Sequence, residues 1–281
     1  MSRERLDNFL NRNVTPAKAL LTMFEPLAAR VGSMEYAEMI AEPAFWGANL
    51  AKTGRLLDMD GLMLGMAPEI SIDQENFSVA QEAFGRLVQT EQNSLGCMAN
   101  MAGPLSLALH MFGEDGRVGE LKQKTVEMAE AYCKIRPDIL LLREGAALGQ
   151  SPIAMPQRKA YNTLKNMATY YSVPLGIYLE NYDPAFLPGL AKLKVPFIFF
   201  GADKDGAIPP LDALKNLAED IDGIGVPLDF DDPEVAREQA EAYLSALPGL
   251  NILFTSLKEL DRNTDLEATL ALVSDLRSIG S

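Results

Sequence analysis

Short runs of apolar residues alternate along this chain with longer stretches in which apolar residues return every three or four positions. The runs are KALLTMF (18–24), GLMLG (61–65), CMANMAG (97–103), DILLLRE (138–144), PLGIYLE (174–180), PFIFFGA (196–202), GVPLDF (225–230) and NILFTSL (251–257). Runs of this length between polar or turn residues predict strands buried on both faces. The intervening stretches, such as FSVAQEAFGRLVQTEQ and MPQRKAYNTLKNMATYY, predict helices with one apolar face. Asp183 before Pro184 and Asp232 before Pro233 mark two helix starts, a capping carboxylate with Pro in the first turn, and Asp265 reads as a third cap. Eight strand-then-helix units without repeat or linker predict a (β/α)8 TIM barrel, one domain over residues 1–281, with a polar N-terminal helix outside it. An open doubly wound sheet would carry a Gly-rich loop after its first strand, and EPLAARVGSM has none.

Composition narrows the partners. The chain has 39 Asp plus Glu against 25 Lys plus Arg, a net charge of −14, which repels nucleic acid and anionic membrane. Cys97 and Cys133 form no disulfide framework or metal knuckle, so reduced thiols and a cytoplasmic location are expected. The opening MSRERLDNFLNRN is too polar for a signal peptide, and no apolar run reaches the roughly 18 residues of a spanning helix. A small-molecule substrate is the expected partner, and a homodimer is left open.

In a barrel of this kind the chemistry sits where the strands end. Glu25 ends the first predicted strand, Asn100 lies in the third, Arg143 and Glu144 end the fourth, and Tyr178, Glu180 and Asn181 end the fifth. Asp203 and Lys204 follow the sixth, Asp229 and Asp231 the seventh, and Ser256 and Lys258 the eighth. Converging carboxylates repel one another and lose solvation, so at least one should hold its proton toward neutrality and act as a general acid. Glu180 and Glu144 are the candidate proton donors, and Arg143 is a clamp for an anionic group. Asn100, Tyr178, Tyr182, Asp203, Lys204 and Asp229 are candidates to bind and orient substrate. The lone His110 reads as a helix residue, and the methionines around the second and third strands read as core or as an apolar pocket wall.

The order of segments resembles the uroporphyrinogen decarboxylase superfamily. RERLDNFLNR is similar to its opening helix, LLDMDGLMLG to its second strand, AGPLSLALHMFGEDG to its Gly-Pro-Leu-Thr-Leu segment, RPDILLLREGAALGQSP to its pocket strand, and FTSLKELDRNTDLEATLALVSDLRSIG to its ending. The resemblance implies a TIM barrel and one of two reactions. The tetrapyrrole decarboxylases carry an RQAGRY-type loop, where this chain has LLTMFEPLAARVGSM with Arg30 alone. In that reading Arg30, Arg143 and Lys204 hold carboxylates, and Asp60 or Asp203 stabilises the intermediate. The thiol-activating methyltransferases carry His-x-Cys and a later Cys for zinc, where this chain has Glu180, Asn181, Thr255 and Ser256, so zinc is not expected. The leading expectation is methyl transfer from a small substrate to a cobalamin-type corrinoid on a partner protein. Decarboxylation of a tetrapyrrole or smaller acid is the alternative, and a tetrapyrrole- or corrinoid-binding protein without catalysis is the third.

Overall fold

The computed structural model describes residues 2–279 apart from 16–17, 66–67, 114 and 146–147. Helix α1 (Ser2–Leu10) leads through segment 18–24 into α2 (Glu25–Val31), α3 (Tyr36–Ala41), α4 (Pro43–Leu56) and β1 (Gly61–Leu64). Helices α5 (Pro68–Ile72) and α6 (Gln74–Glu91) connect to β2 (Gly96–Ala102), and α7 (Pro104–Phe112), a 3-10 segment (Asp115–Leu121) and α8 (Lys122–Cys133) connect to β3 (Ile139–Glu144). Then come α9 (Met155–Tyr170), β4 (Leu175–Leu179), a second 3-10 segment (Pro184–Leu193) and β5 (Phe197–Phe200). The chain closes with α10 (Leu211–Ala218), β6 (Gly223–Leu228), α11 (Pro233–Ala246), β7 (Ile252–Ser256) and α12 (Leu266–Ser278). Asp183, Asp232 and Asp265 each accept backbone N–H groups of the turn that follows, as their place before a Pro or an apolar run predicts.

All seven strands pair in parallel in the order β1-β2-β3-β4-β5-β6-β7. An eighth strand was expected over 18–24, and among the described residues that segment forms an isolated parallel bridge between Leu20 and Phe254. Phe254 N–H donates to Ala19 O at 2.8 Å, and Leu21 N–H donates to Phe254 O at 2.9 Å. Toward β1, a side chain takes the place of the ladder. Leu20 N–H donates to Asp60 Oδ2 at 2.7 Å, while Asp60 N–H donates to Leu20 O at 3.1 Å. A carboxylate that takes a ladder N–H satisfies the backbone without extending the pairing.

Alternate strand residues face the axis enclosed by the curled sheet. Met63, Met98, Leu141, Tyr178, Phe199 and Leu253 pack there with Leu21 and Met23 of segment 18–24. Leu6 and Phe9 of α1 join the same cluster at the N-terminal ends of the strands, so the helix predicted outside the barrel is its floor. Glycine makes this approach feasible: a Cβ at Gly96 would collide with Leu6, and one at Gly223 would lie 2.6 Å from Phe9 Cζ. Met59, Met63, Met98 and Met101 are all buried core residues, which corrects the reading of a methionine-lined pocket; Met111 is exposed and Met66 lies outside the described residues. No helix among the described residues is long and apolar enough to cross a membrane.

Candidate active site

The axial row above Leu141 and Gly176 consists of Arg143 and Tyr178, paired in register across β3 and β4. Glu180 follows two residues after Tyr178, on the same face. Arg143 donates to Glu180 Oε1 from Nε at 3.1 Å and from Nη2 at 2.8 Å. Gly201 leaves room beside them, since a Cβ there would lie 2.9 Å from the Tyr178 hydroxyl oxygen and 3.5 Å from Glu180 Cβ. The Tyr178 hydroxyl donates to Ser256 O at 3.4 Å. Arg143 and Glu180 keep 16% and 23% of their side-chain surface exposed, so solvent reaches the pair.

A second carboxylate joins them from a loop. Glu259, in the stretch between β7 and α12, accepts the N–H of Glu25 at the start of α2. The loop is pinned by Leu260 N–H donating to Met23 O at 2.8 Å. Burial pushes the Glu259 carboxyl above its usual range, Arg143 opposes the shift, and the charge of Glu180 adds to it. Burial works to lower the Arg143 guanidinium, but Glu180 and then Glu259 outweigh it and keep the cation firmly protonated. Glu25 is fully buried, taking Trp46 Nε1–H and Gly65 N–H, each at 2.9 Å, and the Tyr36 hydroxyl at 3.4 Å. Burial and then the charges of Glu25 and Glu259 raise the Tyr36 phenol well above its ordinary value.

The cluster therefore joins a permanent cation, a carboxylate bound to it and a carboxyl that holds its proton at higher pH than usual. Such a carboxyl can donate a proton to an atom that gains electrons in the reaction. Glu259 was not among the sequence candidates. Strand alternation does not reach it, because β7 ends at Ser256 and Glu259 lies three residues beyond, in the loop.

The other candidates are distributed as strand alternation dictates. Glu144, next to Arg143, points the opposite way and is fully buried behind the sheet. Its carboxylate takes Ser106 Oγ–H at 2.6 Å, Ser106 N–H at 2.9 Å, Leu105 N–H at 3.3 Å and the Tyr161 hydroxyl, and so caps α7. Burial raises its pKa against those donors. Tyr182 is also buried behind the sheet, edge-on to Phe200. Asp203 accepts the N–H groups of Asp205 and Ala207, and Asp229 accepts that of Asp231, so each shapes its own turn. Lys204 is held by Asp183 at 2.6 Å on the exposed rim. Arg30 donates to the carbonyls of Arg262 and Thr264. Asp60 precedes β1, at the end of the sheet opposite the Arg143 cluster. Asn100 does lie on the axial face of β2; its Nδ2 donates to Leu64 O at 2.8 Å and Met98 O at 3.3 Å, and its buried Oδ1 has no partner among the described residues.

The donors in the Arg143 cluster are carboxylate, guanidinium, amide and phenol, a set that does not fit zinc bound by thiolate or imidazole. Cys97 and Cys133 are buried, in β2 and at the end of α8, and His110 is exposed on α7. Among the described residues no group of three or more His, Cys, Asp or Glu is arranged to hold a metal ion.

In sequence the chain matches no family model and no curated protein. In structure it is similar to a methyltransferase from Methanosarcina mazei, with a TM-score of 0.75 at 10% identity over 98% of both chains. It is also similar to a sugar phosphate isomerase/epimerase from Parabacteroides distasonis, with a TM-score of 0.57 at 12% identity over 92% of this chain and 98% of that one. A D-psicose 3-epimerase from Clostridium cellulolyticum follows, with a TM-score of 0.52 at 9% identity over 83% and 93%. At these identities the likeness is one of fold, a curled parallel α/β sheet of TIM-barrel type.

Proposed function

We propose that this chain is a methyl-transfer enzyme. It would hold a small methylated substrate at the C-terminal mouth of the sheet and pass the methyl group to a corrinoid protein that serves as second substrate. In this reading segment 18–24 stands in for the eighth strand and completes the wall around the axis. The observation that carries the reading is the Arg143–Glu180 pair with Glu259 beside it, set at the strand ends in a fold that matches a methyltransferase end to end. Glu259 gives its proton to the atom that leaves the methyl group. Glu180 and Arg143 fix the electrostatics around that atom, and Tyr178 buttresses them. An eight-position barrel has an interior only wide enough for side chains, so the corrinoid would meet the substrate from the rim.

Decarboxylation of a tetrapyrrole has less support, because Arg143 is committed to Glu180, Lys204 to Asp183 and Arg30 to two carbonyls. A polyanion would add its charge to the carboxylates already there.

The test is anaerobic mixing of the protein with cob(I)alamin and a panel of methylated amines, ethers and thioethers, following conversion to methylcobalamin by absorbance. Protein-dependent conversion with at least one donor is expected. No acceleration over the protein-free rate with any donor would overturn the proposal.

A further inference from the structure

Independently of the reaction at the mouth, we infer that a cavity between α9 and the second 3-10 segment binds a small organic phosphate. The cavity has a volume of about 250 Å³. Arg158 and Lys159 line it from α9, and Lys192 and Lys194 line it from the end of the 3-10 segment. Among the described residues no carboxylate lines it. Four cations from two elements therefore share one space.

The surrounding sequence keeps that charge uncancelled. The chain carries a net charge of −14, yet neither 145–179 nor 184–202 contains an Asp or a Glu. The carboxylates that bracket these stretches are engaged: Glu144 caps α7, Glu180 holds Arg143 and Asp183 holds Lys204. Lys258 and Arg262, exposed cations elsewhere, sit on Asp231 and Glu35. Arg158, Lys159, Lys192 and Lys194 have no ion-pair partner among the described residues. Like charges around one space repel, and an anion placed among them removes that cost.

The shape of the site selects the anion. A guanidinium takes two phosphate oxygens in its planar fork, while the ammonium groups act as point charges around the rest. The volume is several times the roughly 30 Å³ share of one water molecule, so carbon atoms fit beside the phosphate. Met155 and Leu193 give them an apolar wall, and the Asn162 amide can orient a hydroxyl. The charge of the whole chain opposes a long polyanion, which makes the ligand small. The site is separate from the Arg143 cluster. Helix α9 buries Gln157, Tyr161, Leu164 and Ala168, and leaves Lys159 and Asn162 exposed with Arg158 half-buried, so the cavity opens in the helical layer. An occupant joins the helix that enters β4 to the segment that leaves it.

Calorimetric titration of the full chain at low salt with glycerol 3-phosphate, inorganic phosphate, glycerol and polyglutamate tests the inference. Glycerol 3-phosphate should bind more tightly than inorganic phosphate and polyglutamate, and glycerol should give no heat. Arg158→Gln should weaken glycerol 3-phosphate at least about tenfold, the size of one lost charge-assisted hydrogen bond. Lys192→Gln with Lys194→Gln, both exposed, should do the same with an unchanged urea midpoint. Lys122→Gln removes an exposed cation at the start of α8, outside the cavity, and should leave binding unchanged. No heat with glycerol 3-phosphate, or an equal loss in Lys122→Gln, would overturn the site. Tighter binding of inorganic phosphate would overturn the organic ligand, and tighter binding of polyglutamate would replace it by contact with an acidic protein.

Discussion

Replacing Glu259 by Gln is expected to lower kcat for methyl transfer by roughly 10²–10⁴-fold, the range for loss of a positioned general acid. The amide keeps the size of the carboxyl, but it has no acidic proton to give. The pH dependence separates this role from simple packing. A general acid works while protonated, and burial places the folded pKa of Glu259 above the ordinary carboxyl value. Activity should therefore be full below that raised pKa and fall as pH rises through it. In Glu259→Gln the fall should disappear. A variant that keeps both the wild-type rate and the wild-type alkaline limb would remove Glu259 from the mechanism.

Asp60→Ala is expected to be the most damaging substitution for stability among the charged positions, at about 3–5 kcal/mol. The Asp60 carboxylate is fully buried and joins four parts of the chain. It accepts Arg5 Nε at 2.9 Å and Nη2 at 2.8 Å from α1, Arg277 Nη1 at 2.8 Å from α12 and Leu20 N–H at 2.7 Å, and it precedes β1. Burial pushes its pKa up, while Arg277, the Leu20 N–H and Arg5 pull it back. Alanine would leave the Leu20 N–H without its acceptor and take the carboxylate from two largely buried guanidinium groups, of which Arg277 keeps Lys18 O and Asp58 O. Unfolding in urea should show the loss as a lower midpoint. A change under about 1 kcal/mol, the usual size for an exposed pair, would mean that the junction is relieved by water.

Seven strands were legible because each is a mainly apolar run set between turn signals, and DILLLRE and PLGIYLE lie across β3 and β4. KALLTMF has the same composition, but a carboxylate forty residues away takes one of its ladder groups, and no local pattern records that. At the site, Arg143 and Glu180 were legible as charged ends of buried strands. Glu144 was grouped with them although its direct neighbour Arg143 faces the axis. Period-two alternation sends neighbouring strand residues to opposite faces, and Glu144 accordingly caps α7 behind the sheet. Glu259 sits past the end of β7 in SLKEL, which reads as solvated loop. Only the tertiary contact of that loop with the start of α2 buries it. The unpaired Asn100 Oδ1 is likewise a property of packing, since its composition alone is that of any strand asparagine.

Methyl transfer to cob(I)alamin by the wild-type chain and by Glu180→Gln, measured side by side on folded protein, tests the central claim most directly, because that claim assigns the reaction to the cluster at the strand ends. The account predicts methylcobalamin formation that depends on the wild-type protein and is lost in Glu180→Gln. Wild-type turnover in Glu180→Gln would contradict it.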